Sequence, residues 1–376
     1  MKTKERIVIV GGGFAGLNLI KGLDKRRFEV ILVDRNNFHS FPPLFYQIAS
    51  SGLDPASISF PFRREMRKGK VKGARFHLGE VKRIDVDRKE LQTQYETLSY
   101  DRLIIAAGTT NNFFGNPELI KYVYTIKSVS EAMRTRDEIL DRLERASLTH
   151  DAELRRRLLS FVVVGGGPSG VEVAGALGEM KRDIIKREYP SIDIDEVNIT
   201  LLEGSDKLLG AMSPQSSAKA LKYLGELMVD VRLGHVMKEY TDEQVTIDDG
   251  TRLTAGMVIW TAGVTGVTFD MGGTGPTLVR GNRFEVDRFN RVKGLDDVFA
   301  VGDIAYMATE AFPHGHPQLA QVAIQQARHL ADNLNRDRWT EPFVYNDKGS
   351  MATVGRNLAV ADLKHMHLYG WPAWLA

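Results

Sequence analysis

The sequence contains no cysteine. That excludes disulfides, thiolate metal sites and redox chemistry through a cysteine pair. Any electron transfer must then run through a bound cofactor. No stretch approaches the ~20 apolar residues that a membrane-spanning helix needs. An excess of one charge is missing too. The 50 Lys and Arg against 48 Asp and Glu leave a net charge of +2, so composition carries no nucleic-acid signature. A basic start, MKTKER, precedes an apolar run at 7–10 that is too short for a signal peptide and flows straight into Gly11. The expectation is a strand of a cytoplasmic protein.

What is present is a chain of 376 residues, long enough at roughly 100–200 residues per domain for two or three domains. Apolar residues at 43% and charged residues at 26% argue for a folded, soluble chain. One local excess stands out: Arg63, Arg64, Arg67, Lys68, Lys70 and Lys72. Its plain reading is a solvated face; the sharper one is attraction to an anionic membrane surface.

Two segments share one plan. The β-branched run at 7–10 suits a strand buried on both faces. It leads into Gly11-Gly12-Gly13-Phe14-Ala15-Gly16, a helix to about Lys25, and a second strand at 29–33 ending in Asp34. At 161–164 the pattern recurs: Gly165-Gly166-Gly167-Pro168-Ser169-Gly170, a helix to about Lys186, a strand at 198–202, and Glu203. In such loops the first glycine makes the tight turn, the second lets backbone approach a pyrophosphate, and the third lets helix pack close to strand. Phosphate then sits on the helix N-terminus. The acid after the second strand accepts hydrogen bonds from ribose hydroxyls. An acid at Glu203 would repel a 2′-phosphate, which predicts NADH over NADPH; the alternative is a surface acid. Each unit closes on an apolar strand entering a small-residue turn, at Ala107-Gly108 and at Ala262-Gly263. A charged helical stretch at 128–158 connects the units. A short strand at 298–301 precedes Gly302-Asp303, and 317–333 reads as a helix. Two dinucleotide sites on one chain imply a relay in which NADH gives a hydride to a flavin, which needs a second acceptor.

The residues at 39–47 (His-Ser-Phe-Pro-Pro-Leu-Phe-Tyr-Gln), the second glycine loop continuing into Val171-Glu172, Val301-Gly302-Asp303, and 320–326 (Ala-Gln-Val-Ala-Ile-Gln-Gln) carry a resemblance over nearly the whole chain. The sequence resembles the two-dinucleotide-binding flavoproteins and, within them, the type II NADH dehydrogenases, the non-pumping NADH:quinone oxidoreductases. The resemblance implies an α/β fold of two Rossmann-like domains. It implies an FAD domain at 1–115 and 265–335, an NADH domain at 116–264, and a C-terminal segment at 336–376. It implies FAD at Gly11, Gly13, Phe14, Ala15, Gly16, Asp34 and Arg35, near Ala107 and Gly108, with Gly302 and Asp303 on the ribityl side. It implies NADH at Gly165, Gly167, Pro168, Ser169, Gly170 and Glu203, with Ala262 and Gly263 near the nicotinamide. Gln321 and Gln325 resemble a pair lining a quinone pocket; four residues apart, they share one helix face. Their structural alternative is two amides satisfying backbone. Glu172 resembles a nicotinamide contact and proton carrier, a role that needs a raised pKa; otherwise it is a helix-start acid favoured by the dipole.

The expected partners are a quinone and a membrane surface, on the cytoplasmic side of the inner (plasma) membrane, with a homodimer left open. Family members continue into a membrane-docking region. The expectation is that the segment after 336, which turns aromatic before Ala376, lacks it. His314 with His316, and His365 with His367, have no third ligand in register and read as loop or surface histidines, with no metal expected. Two rivals share the glycine loops: a reductase of a small iron–sulfur protein, and a flavin-binding protein whose redox state controls association. A sulfide:quinone reductase is disfavoured because its chemistry requires cysteines.

Overall fold

The computed structural model describes residues 4–272, 275–276, 278–364 and 366–375; His365 of the second histidine pair lies outside them. The chain divides into two units. The first comprises Met1–Ser40, Ser59–Thr110 and Val264–Asp347, and the second Phe41–Ile58, Asn111–Gly263 and Lys348–Ala376. The expected division differs at both margins. Residues 41–58 group with the second unit, and the expected segment at 336–376 is divided between the two. Burial explains this: Tyr46, Ala352, Val354 and Val360 sit in the same apolar core as Phe161 and Leu177.

In the first unit Glu5–Val10 is the middle strand of a five-stranded parallel sheet. Its order is Val298–Ala300, Arg102–Ile105, Glu5–Val10, Phe28–Asp34, Arg75–Leu78. Side chains alternate across a strand. Ile7 and Ile9 enter one core with Leu19, Ile20 and Leu330, while Val8 and Val10 enter another with Ile105 and Phe284. All four are buried, each worth about 1.5–3 kcal/mol, so an unbroken apolar run is what this strand requires. The helices Phe14–Gly22 and Ala320–Arg336 pack together. Gly22 permits this, since a Cβ there would stand 2.7 Å from the Ala331 Cβ. On the other face Ile84, Leu91 and Leu98 pack down from the antiparallel strands Val81–Asp85, Glu90–Thr93 and Thr97–Ser99.

The second unit repeats the plan with four parallel strands: Met257–Trp260, Ser160–Val164, Asn198–Glu203, Asp230–Leu233. Phe161 and Val163 face one core, Val162 and Val164 the other. The connecting stretch is two helices, Val129–Leu148 and Ala152–Leu158. Ser128 caps the first by accepting from the Glu131 N–H, and Asp151 caps the second by accepting from Glu153 and Leu154. The helix after the glycine loop, Pro168–Glu179, continues through a wider turn at Met180–Ile185 into Lys186–Glu188. The short helix Phe45–Ala49 and the strand Ser350–Thr353 pack against Pro168–Glu179.

Candidate functional site

In the first unit Gly11 adopts φ +99°, and a Cβ there would lie 2.5 Å from the Ala106 carbonyl oxygen. The turn is thus open only to glycine. A Cβ on Gly16 would fall on the Gly11 carbonyl, so the helix can start only this close to the strand without one. Gly13 is different: nothing lies within 4 Å of its Cβ position. It is the N-cap of Phe14–Gly22, with no side-chain cap and no acid in the first turn. The loop therefore presents a backbone surface at a positive helix end, which suits a pyrophosphate. Asp34 braces it, accepting from the Gly12 N–H at 2.6 Å and the Asn36 N–H at 2.7 Å. Burial raises the Asp34 pKa against those two bonds and exposed Arg35, which pull it down. His39 Nδ1 lies 2.8 Å from the Gly12 carbonyl oxygen. Phe62, also outside the expected set, presses its ring on Gly12.

Two further turns belong to this unit. Gly108 has φ +67° with no atom within 4 Å of a Cβ, and Ala107 is half-buried beside it. Gly302 has φ +75°, and its Cβ position is 3.0 Å from the Ala323 Cβ and 3.5 Å from the Ala15 Cβ. The Gly302–Ile304 turn, which carries Asp303, therefore abuts the first glycine loop's helix. Its hold comes from Gln326, fully buried, whose Oε1 accepts from the Gly302 N–H at 2.8 Å. Gln318 donates to the Asp303 carbonyl at 3.1 Å. Neither glutamine was singled out by the sequence. Gln326 sits in the QQ pair beside Gln325, and only its buried helix face separates the two.

Gln321 and Gln325 lie on the same helix, both partly buried. Gln325 binds the Asn346 backbone twice, donating to the carbonyl and accepting from the N–H, each at 2.9 Å. Both bonds of Gln325 are thus to backbone, the arrangement that the structural alternative describes. His316 lies in a loop, as expected, but not at the surface. It is buried, its ring 4.7 Å from Phe312, with Nδ1 2.9 Å from the Met307 carbonyl oxygen, because Phe343 and Tyr345 close over it. His314 is exposed.

The second unit repeats the loop. Gly165 has φ +111°, with the Ala262 backbone 2.8 Å from a Cβ position. Gly170 packs onto the Gly165 carbonyl, and Gly167 has open space. Pro168 and Ser169 open the helix, exposed, with no acid in its first turn. Glu203 accepts from the Gly166 N–H at 2.5 Å, and its other oxygen takes the Ser205 N–H and hydroxyl, both at 2.7 Å. Thr261, unanticipated, ties the closing strand to the loop by donating to the Val164 carbonyl at 2.8 Å. Gly263, at φ +93°, faces the Phe114 ring.

Glu172 lies one turn into this helix, half-buried. Desolvation pushes its carboxyl up to about 8, with one opposing hydrogen bond from the Thr353 N–H. The Thr353 hydroxyl donates to the Tyr46 hydroxyl at 2.9 Å, and the Gln47 amide also donates to Tyr46, at 3.0 Å. Thr353 was invisible in the sequence, 181 residues beyond Glu172. At neutral pH a carboxyl with this pKa holds a proton, and it can release one within the physiological range.

The pyridine nucleotide-disulphide oxidoreductase family model matches residues 5–327. A type II NADH:quinone oxidoreductase of Mycobacterium tuberculosis, Ndh, is 34% identical over 395 residues, covering 99% of this chain and 82% of its own length. An internal alternative NAD(P)H-ubiquinone oxidoreductase of Arabidopsis thaliana mitochondria is 29% identical, covering 96% and 76%. Among solved structures, NDH2 of Plasmodium falciparum in complex with NADH aligns with a TM-score of 0.91 at 23% identity, over 99% of this chain and 93% of that one.

Proposed function

The chain belongs to the pyridine nucleotide-disulphide oxidoreductase family and, within it, to the type II NADH:quinone oxidoreductases, and on that premise we propose that it oxidises NADH and reduces a membrane quinone through FAD. The supporting observation is the paired loop architecture. Each loop has an uncapped, glycine-lined helix start, and each is braced by a carboxylate on its second glycine's N–H. Bound FAD supplies the redox chemistry, taking a hydride from NADH and passing two electrons to the quinone.

The first unit is the FAD body. Gly11, Gly13 and Gly16, with Phe14 and Ala15, receive the pyrophosphate, and Asp34 with Arg35 receives the adenosine ribose. Ala107 and Gly108 lie toward the ring. Gly302 offers its turn to the ribityl chain, where Asp303 accepts a hydroxyl, and Gln326 keeps that turn in place. The second unit is the NADH body. Gly165, Gly167, Pro168, Ser169 and Gly170 take the pyrophosphate, Glu203 grips the free 2′-hydroxyl, and Ala262 and Gly263 flank the nicotinamide end. Gln321 donates its amide to a quinone carbonyl, and Gln325 acts by fixing the Asn346 loop. Glu172 keeps a proton on its carboxyl at neutral pH and is the second unit's proton carrier for quinone reduction. Overall NADH, one proton and quinone become NAD⁺ and quinol.

No helix among the described residues is long and apolar enough to cross a membrane. The reading is a peripheral protein on the cytoplasmic membrane face. Stopped-flow mixing tests the function. NADH should reduce the flavin, and a soluble short-chain quinone should reoxidise it much faster than dissolved oxygen does. Reoxidation no faster than by oxygen overturns the quinone assignment. Gln321→Ala should slow reoxidation alone; equal loss in both steps would instead mean disturbed FAD binding.

A further inference from the structure

The segment 59–78 of the first unit separates its apolar and basic residues onto opposite sides. Phe62, Met66 and Val71 are buried in the core that holds the Phe14–Gly22 helix. Phe62 packs on Phe76 at 5.1 Å between ring centroids. Lys25 fastens the following loop by donating to the Lys70 carbonyl at 2.6 Å. The six cations at 63–72 all point to solvent, against a single acid in that stretch, Glu65. Arg75 is paired with Glu29, whereas among the described residues none of these six is in an ion pair. Surface cations are usually offset by nearby carboxylates, so a row without ion pairs on an anchored segment holds a field available to an outside anion.

The row borders a cleft of about 760 Å³ that opens along the sheet's outer strand, Arg75–Leu78. Arg63 and Arg67 line it, with the Arg63 guanidinium 5.2 Å from the Phe76 ring centroid. Its floor and sides include Met66, Phe76, Leu78 and Tyr95, the last 68% exposed. The carboxylate in the lining, Glu96, is bound to His77 at 2.6 Å. Phe60, also exposed, lies in the strand leading into the basic segment. Cations beside accessible aromatic and aliphatic surface match an interface whose outer layer is anionic and whose next layer is apolar.

We infer that this basic segment and its cleft form a docking surface for the anionic phospholipid headgroups of a bilayer. The inference rests on the reading that the electron acceptor is dissolved in a membrane. It fixes which face of the first unit turns toward that membrane, and none of its six cations is among the residues assigned to the cofactors or the quinone.

Flotation of the flavin-loaded full chain with vesicles tests it, and binding needs no turnover, so the outcome is independent of the quinone assay. The protein should bind phosphatidylcholine vesicles containing phosphatidylglycerol, and binding should weaken as salt screens the charges. Combining Arg63→Glu, Arg67→Glu and Lys70→Glu should lower that binding about 100-fold or more, at roughly five-fold per cation removed. Flavin content and turnover with soluble quinone should stay at the parent level. Arg63→Lys with Arg67→Lys should keep most of the binding. Equal flotation of parent and charge-reversed protein overturns the proposal, as does equal binding to pure phosphatidylcholine. Binding to heparin without binding to the anionic vesicles also overturns it, pointing to a different polyanionic partner.

Discussion

The two glycine loops are near copies in backbone and differ in what surrounds them. In both, the first glycine is held at positive φ by the end of a neighbouring strand, and the third packs onto the carbonyl of the first. In both, a carboxylate braces the second. The first loop then gains a fifth strand and a second turn, at Gly302, that abuts its helix and is locked by Gln326. Among the described residues no glutamine-locked turn abuts the start of the second loop's helix in this way. That helix instead carries Glu172 where the first carries Asn18, which merely donates to the Phe14 carbonyl of its own helix. A turn that grips from two sides suits a resident cofactor, and a turn that grips from one side suits a substrate that must leave. The acid appears only in the second copy, where burial raises its pKa.

The sharpest way to break this contrast is Glu172→Gln. If the acid delivers a proton, the quinone half-reaction should slow by about 100-fold or more, with flavin reduction by NADH nearly unchanged. In the parent that half-reaction should decline as pH rises through about 8, where the carboxyl loses its proton, and the variant should lack this limb. An unchanged profile removes Glu172 from proton delivery.

Next in size is a pair of matched changes. Gly11→Ala forces a side chain against Ala106, and Gly165→Ala forces one against Ala262. Each adds backbone strain of roughly 1–3 kcal/mol to the collision. The first protein should purify largely without flavin. The second should keep its flavin but need about 100-fold more NADH for half-maximal reduction. The same defect in both would erase the proposed division of labour.

Gln326→Ala tests the clamp. It leaves the Gly302 N–H without its acceptor, a loss of roughly 1–3 kcal/mol, so flavin should dissociate about 10- to 100-fold more readily in dilution experiments while the NADH affinity stays put. The smallest effect is expected for Glu203→Ala, which should narrow the preference for NADH over NADPH by about ten-fold. A constant ratio would make Glu203 only a brace for Gly166.

Much of this architecture was legible because it depends on local spacing. Glycines at 11, 13 and 16 and at 165, 167 and 170 force their turns by sterics within a few residues. The unbroken apolar strands can lie only inside a two-sided sheet. Helix ends shifted by a few residues: the helix expected to begin at 317 begins at Ala320, after Leu319 as its cap. What stayed hidden depends on distant partners. Gln326 and Gln325 are neighbours of one chemical type, and only tertiary packing puts one on Gly302 and the other on Asn346. Thr353, Tyr46 and Glu172 meet through segments far apart in the chain. His316 is a loop histidine whose burial stayed hidden because the aromatic residues that cover it lie before and well after it. The expected C-terminal segment dissolved for a similar reason: its strands complete a core begun elsewhere.

The buried carboxyl of Glu172 also ties folding to proton uptake. In an unfolded chain it would ionise near its ordinary 4.5, but in the folded protein it stays neutral to about 8. The native state therefore binds more protons than the denatured one across that interval. This stabilising contribution is complete below 4.5 and drains away as pH climbs through 8. With Glu172 as the proposed donor, each departure of the proton would leave the protein with a poorly solvated negative charge, met by the Thr353 N–H. That state is higher in free energy than the protonated one at neutral pH, so the fold itself supplies the pull that recharges the acid from solvent. Resetting between turnovers is then a relaxation towards the more stable protein, and it needs no second substrate to drive it.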